Sequence, residues 1–364
     1  MSVYRGTAQT SAPQHGPRPL PLFLDMVRSE TAASPERLPA VLEGLRRYQE
    51  APRGRVRRAM PARFRKRRAR LRDYGGEGPP VVFVPSLINP PFVLDLTPAT
   101  SLVRWIAASG FHAWLVDWGV TDPRDRDMDV AAHVERVLEP LLAKLPAPPL
   151  LIGYCLGGTM ALAAASRMKV AGLATIASPW RFAGYGAAAR DIAALWESAR
   201  PTCDQLGVVP MEVLQTGFWR LDPARTVAKY EAFAKLEGDR AAMFVALEDW
   251  ANAGEPLTYA AGAELFERFI GEDLPGRGLW RVGGVAVGPE RVDCPSIDYV
   301  SLSDRIVPAA TAAGLGARRD LGAGHVGMIV GGSARRQLWE PLRDWLHGVA
   351  GGREPGQSKE EHAP

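Results

Sequence analysis

The stretch Leu150-Leu-Ile-Gly-Tyr-Cys-Leu-Gly-Gly-Thr-Met-Ala-Leu-Ala-Ala-Ala165 limits the fold more than any other part of the chain. Apolar strand formers run into a Gly-X-Cys-X-Gly-Gly turn, and small residues with helix propensity follow. The order is strand, sharp turn, helix. Such a turn lifts one side chain, Cys155, out of the backbone at its tip. Gly153 and Gly157 flank it because a side chain there would collide across so tight a bend. The N–H of Leu156 points into the same space, and the helix beginning there adds the positive end of its dipole. A nucleophile, a donor and a dipole converge on one point. A base and a cover are still needed.

Two later segments supply the base and its partner. Ser301-Leu-Ser-Asp-Arg-Ile-Val-Pro308 puts Asp304 just past a strand, and Leu321-Gly-Ala-Gly-His-Val-Gly-Met-Ile-Val330 puts His325 in a Gly-rich loop before the last helix. Nucleophile, acid and histidine occur in the α/β-hydrolase order, each at a strand end. A thiol is mostly protonated at neutral pH, so it needs a base. His325 can take the proton and return it, and Asp304 can orient the imidazolium. The oxyanion of an acyl intermediate needs two donors. Leu156 N–H is one. The other is expected from Pro85-Ser-Leu-Ile-Asn-Pro-Pro91, from Ile88 N–H or from its neighbour Leu87.

The remaining candidates carry less. Cys203 and Cys294 lack an elbow and read as structural. His112 lies in a strand, His133 on an amphipathic helix, and His15 and His362 in terminal stretches. Asp117 ends a strand, where a local hydrogen bond is the ordinary role. Asp122, Asp125, Asp127 and Asp129 have a calcium-loop rhythm, but Val130 and Arg136 stand where such a loop needs Gly and Glu. Three unpaired cysteines argue against a disulfide framework and a zinc site and fit a reducing compartment. No metal or cofactor is expected. No secretory signal is expected, because Pro19-Leu-Pro-Leu-Phe-Leu24 is short, proline-broken and not preceded by a basic start. The uncharged run from Leu145 to Ser166 contains prolines and the Gly-rich turn, so it reads as strand plus helix rather than a membrane span.

Strands and helices alternate from Pro80 to Ala177: strands at 80–85, 111–117, before the elbow and at 170–177, helices at 102–108, 130–145 and after the elbow. The fold class expected is α/β, a mostly parallel doubly wound sheet of the α/β-hydrolase type. From Trp180 to about Glu272 the pattern is helical with no strand between, which reads as an inserted cap. A Gly-Gly hairpin at 279–287, a strand at 296–302 and a helix at 334–347 follow. The expected division is an N-terminal extension at 1–73, partly disordered and basic, a core at 74–179 and 290–350, a cap at 180–289 and a disordered tail at 351–364. The apolar share of 46% allows a sizeable core. The net charge of +4 says little, but eleven basic residues crowd between Arg53 and Arg72. They read as a solvated lead-in, and nucleic acid is not expected as a partner.

At this point the chain resembles the polyhydroxyalkanoate synthase family. The resemblance runs from about Leu71 to the final helix. It rests on Asn89-Pro-Pro-Phe-Val-Leu-Asp-Leu-Thr-Pro98, Ser101-Leu-Val-Arg-Trp105, Val116-Asp-Trp-Gly119, Gly153-Tyr-Cys-Leu-Gly-Gly158, Asp304-Arg-Ile-Val-Pro308 and Gly324-His-Val-Gly327. It implies polymerisation of 3-hydroxyacyl-CoA with release of CoA, the growing acyl group held on Cys155 as a thioester. His325 would activate Cys155 and the attacking hydroxyl, with Asp304 assisting. CoA thioester would be substrate, not cofactor. The short N-terminal region resembles the synthases that work with a separate partner subunit. A homodimer in the cytoplasm, at the surface of polyester granules, is the assembly expected. Here Arg305, Ala309 and Gly331-Gly332 stand where the family has His, Trp and Asn-Pro-Pro. Two other readings share the scaffold: a thioesterase or intracellular polyester depolymerase, and a non-catalytic granule-surface protein.

Overall fold

The computed structural model describes residues 15–53 and 58–352. The disorder expected for the two termini falls largely outside them, as do Arg55, Arg57 and His362. The chain forms two compact units. One gathers the described residues before Arg58 with Asp222–Asn252; the other holds Arg58–Leu221 and the described residues from Ala253 onward.

The larger unit is built on an eight-stranded sheet. Its strands are β1 (Ala62–Lys66), β2 (Ala69–Asp73), β3 (Pro80–Val84), β4 (His112–Asp117), β5 (Leu150–Tyr154), β6 (Gly172–Ile176), β11 (Ser296–Ser301) and β12 (Ala317–Leu321); β7 (Val208–Val209), β8 (Leu257–Thr258), β9 (Arg281–Val282) and β10 (Val285–Ala286) form two small ladders apart from it. The order is β1-β2-β4-β3-β5-β6-β11-β12. Pairing is parallel from β4 to β12, whereas β1–β2 and β2–β4 are antiparallel. Every residue of β3, β5 and β6 is buried. That is why they read as unbroken apolar runs: a central parallel strand is covered on both faces. β5 ends in Cys155 in the middle of the sheet. This is the doubly wound α/β architecture that the sequence implies.

Three elements depart from expectation. Residues 62–73, read as part of a lead-in, are two strands of the main sheet. In β2 only Ala69 and Leu71 are fully buried, while Arg70 and Arg72 point the other way and pair with Asp117. The alternation was masked by the surrounding arginines. β1 is an edge strand whose Arg63, Arg65 and Lys66 are exposed, which discourages pairing with another chain. β12 is the opposite edge; of its residues only Leu321 is buried, so Ala317-Arg-Arg-Asp-Leu321 shows no apolar run. Much of the basic block is neutralised locally, with Arg67 and Arg68 on Asp125 and Arg53 on Asp249.

The insertion at 180–289 is not one helical cap. Helices Ala188–Leu206 and Met211–Leu221 belong to the larger unit, and β7 pairs antiparallel with β8. Between them, Pro223–Phe233 and Gly238–Asn252 belong to the smaller unit together with Leu20–Thr31 and Leu38–Glu50. Their apolar faces explain the grouping. Phe23 meets Tyr230 edge-on at 4.8 Å, and Phe233 stacks on Phe244 at 4.1 Å. Gly44 lets the second helix touch the third, since a Cβ there would lie 1.9 Å from Tyr230 O. Tyr48 donates to Asp249 at 2.8 Å and Tyr230 to Glu248 at 2.7 Å, so both buried phenols are satisfied. No helix among the described residues is long and apolar enough to cross a membrane.

Candidate active site

Cys155 joins β5 to the helix Leu156–Ala165 with φ 56° and ψ −133°. That backbone is strained for a side-chain-bearing residue, and its surroundings hold it. Cys155 N–H donates to Ile176 O at 3.0 Å, and Cys155 O accepts from Gly158 N–H at 2.8 Å. The glycines are required by close approach. A Cβ on Gly157 would lie 2.1 Å from Val84 O, and one on Gly153 2.3 Å from Gly158 Cα. Leu156 is the first residue of its helix, so its N–H has no partner within that helix.

Asp304 and His325 come together. Asp304 Oδ2 lies 2.6 Å from His325 Nδ1, with the carboxylate fully buried and the imidazole 9% exposed. Oδ1 accepts from Ile306 N–H at 2.8 Å and Val307 N–H at 2.9 Å, which fixes the carboxylate's orientation. Ser301 Oγ donates to Ala323 O at 2.6 Å and Ser303 Oγ to Gly322 O at 2.8 Å, tying the acid loop to the histidine loop. Tyr154 stacks on the imidazole at 5.1 Å and donates to His325 O at 3.2 Å. Neither serine nor Tyr154 stood out in the sequence, because their roles depend on loops far apart in the chain.

His325 Nδ1 is taken by Asp304, which leaves Nε2 as the nitrogen available to Cys155. Burial pushes the imidazole pKa down. The charge of Asp304, then that of Cys155, outweighs burial, with help from the hydrogen bond to Asp304, and the pKa is raised to about 10. The sign of the resulting pH dependence follows. The unfolded chain has a histidine pKa of about 6.5, so this proton's stabilising contribution is complete below that pH and is lost as pH rises toward about 10. The thermal midpoint is expected to fall across that window, and to fall less in His325→Gln. Parallel curves for the two proteins would contradict it.

Cys155 and Leu156 line a cavity of about 690 Å³, counting the space open to solvent, together with Ile88, Phe182, Tyr185 and Phe266 among others. No Asp, Glu, Lys, Arg or His lines it. Helices Ala188–Leu206 and Met211–Leu221 and the run 264–271 contribute to its wall, so part of the insertion does cover the elbow. Ile88 lies in the cavity, but its N–H donates to Ser86 Oγ at 3.1 Å, so service as a second oxyanion donor would take it from that hydroxyl. Trp118 Nε1 holds the same loop through Pro85 O at 3.0 Å.

The other candidates lie elsewhere. Cys203 and Cys294 do not line the cavity, and burial pushes both thiols up, Cys294 to about 11. His112 sits 2.8 Å from Asp73. His133 is buried between Arg68 and Asp129 O, and burial lowers its pKa to about 4. Asp122 and Asp129 cap helical turns and Asp125 holds two arginines. Among the described residues no cluster of His, Cys, Asp or Glu is arranged to hold a metal.

The alpha/beta hydrolase family model matches residues 81–336, and the chain belongs to that family. The curated relatives it is similar to are poly(3-hydroxyalkanoate) polymerases and their subunits. It is 26% identical over 293 residues to the poly(3-hydroxyalkanoate) polymerase subunit PhaC of Haloferax mediterranei, covering 73% of this chain and 58% of the relative. It is 26% identical over 294 residues to the subunit of that name from Allochromatium vinosum, covering 74% and 80%. The chain thus spans about three fifths of the length of the first relative. Among solved structures, the Bacillus megaterium epoxide hydrolase in complex with an inhibitor superposes with a TM-score of 0.53 at 13% identity, covering 77% of this chain and 96% of that one. The last likeness concerns the fold alone.

Proposed function

We propose that this chain is a polyester-forming acyltransferase that accepts a 3-hydroxyacyl group from CoA onto Cys155 and passes it to the hydroxyl of another acyl unit. The observation that carries the reading is a thiol, rather than an alcohol, at φ 56° on an elbow, electrostatically coupled to a buried His325–Asp304 pair and opening on an otherwise apolar cavity. The names of the relatives, poly(3-hydroxyalkanoate) polymerase subunits, point the same way.

In this mechanism the Cys155 sulfur attacks the thioester carbonyl while its proton resides on His325. Leu156 N–H and the helix dipole receive the oxyanion, and Ile88 or Leu87 N–H can add a second bond. The intermediate expels the CoA thiolate, which takes the proton from His325. One thioester has replaced another, so the acyl group stays activated. Acylation also removes the thiolate charge that raised the proton affinity of His325. The imidazole then becomes a base able to accept the proton of an incoming hydroxyl, and Cys155 leaves as the ester forms. The uncharged cavity suits the acyl chain and disfavours water, whose attack would end growth. The phosphates of CoA find no charged partner in that lining, so they stay outside it. The active form in this proposal is a homodimer working with a separate synthase subunit, in the cytoplasm at the polyester surface.

The test is purified protein with 3-hydroxybutyryl-CoA, alone and with a synthase partner subunit, following CoA release, polymer and free acid. CoA with polymer is expected. CoA with free acid would instead identify a thioesterase, and no CoA in either arm would leave only a non-catalytic role.

A further inference from the structure

Tyr185 differs from everything else around the cavity. Apart from Cys155, it is the one lining residue whose side chain carries a polar atom; the rest are aliphatic residues, Phe, Pro and Gly. Its ring is positioned by the short helical turn Phe182–Tyr185 and stacks on Phe182 at 6.0 Å and 21°. Among the described residues its hydroxyl makes no hydrogen bond. Burial, and then the charges of Cys155 and Asp304, raise its pKa, so the phenol keeps its proton. A binding cavity of this kind uses a few placed polar groups to orient an otherwise apolar ligand, and Tyr185 is the side-chain group available for that here.

The strand order indicates which part of a substrate it meets. β5 delivers Cys155 with β3 on one side and β6 on the other. The Ser86–Ile88 loop, where donors to the carbonyl oxygen gather, follows β3. Tyr185 follows β6, on the side shared with Asp304 after β11. It lines the cavity beside Cys155, close enough to feel the charges of Cys155 and Asp304. The chemical feature that separates a 3-hydroxyacyl chain from a plain fatty acyl chain is one hydroxyl close to the carbonyl. Resting on the acyltransferase reading above, we propose that Tyr185 is a specificity residue whose phenol donates a hydrogen bond to the hydroxyl of the acyl group seated beside Cys155.

The experiment is single-turnover CoA release by the full chain and its Tyr185→Phe variant, from 3-hydroxybutyryl-CoA and from butyryl-CoA, with thermal unfolding of both proteins. Phe keeps the ring and its stack on Phe182. Wild type is expected to prefer the hydroxyacyl substrate. Tyr185→Phe is expected to slow that substrate by roughly 10- to 100-fold, as for loss of one buried hydrogen bond, while leaving butyryl-CoA and the melting midpoint unchanged. Equal slowing of both substrates, or of neither, would overturn the assignment of Tyr185 and leave the acyltransferase reading standing. A wild type that releases CoA from neither substrate would overturn both.

Discussion

Cys155→Ala is expected to abolish CoA release from 3-hydroxybutyryl-CoA, a loss of about a million-fold for removal of a covalent nucleophile. The fold should survive. Alanine removes one heavy atom from a partly buried side chain, and the backbone bonds at the elbow run through Cys155 N–H to Ile176 O and from Gly158 N–H to Cys155 O, which alanine keeps. The strained φ of 56° is no worse for alanine than for cysteine. Steady-state CoA release with a thiol indicator measures the effect, alongside circular dichroism. Residual turnover within about a hundred-fold of wild type would place the nucleophile elsewhere.

Asp304→Asn is expected to be nearly as damaging, by roughly 10³- to 10⁴-fold in turnover. Asparagine Oδ1 can still accept from Ile306 and Val307 N–H, so the loop should hold its shape. The other terminus becomes an N–H donor facing His325 Nδ1. The imidazole must then place its own proton on Nε2, the nitrogen that should receive the proton of Cys155. The variant also loses the largest of the contributions that raise the His325 pKa, leaving burial to push it down. Turnover and the imidazole titration by NMR should therefore move together. Lost turnover with His325 still titrating near 10 would disconnect the two.

The elbow was legible because its chemistry forces its residue types. Only glycine fits at 153 and 157, where Cβ atoms would enter backbone, and the spacing fixes which side chain stands at the tip. The acid and the histidine were legible from chain order together with flanking strand and glycine signals. The edge strands β1 and β12 were not. Edge strands need bury little, so their residues could be chosen for charge, and the apolar pattern that reveals a central strand is missing. The division of the insertion was hidden for a different reason. Helix Pro223–Phe233 carries an ordinary apolar stripe, Gly238–Asn252 buries polar Glu248 and Asn252 beside Val245 and Trp250, and nothing local says that these helices meet Phe23 and Tyr48 rather than the sheet. Tyr185 was likewise invisible, because a tyrosine among apolar residues reads as core until the cavity around it is seen.

The account turns on an acyl thioester at one residue. Intact-mass and peptide mapping of the full chain after brief exposure to 3-hydroxybutyryl-CoA tests this directly. The account predicts a hydroxybutyryl adduct, labile to hydroxylamine, on the peptide bearing Cys155 and absent from Cys155→Ala. CoA release without that adduct under rapid quench, or an adduct that survives in Cys155→Ala, would contradict it.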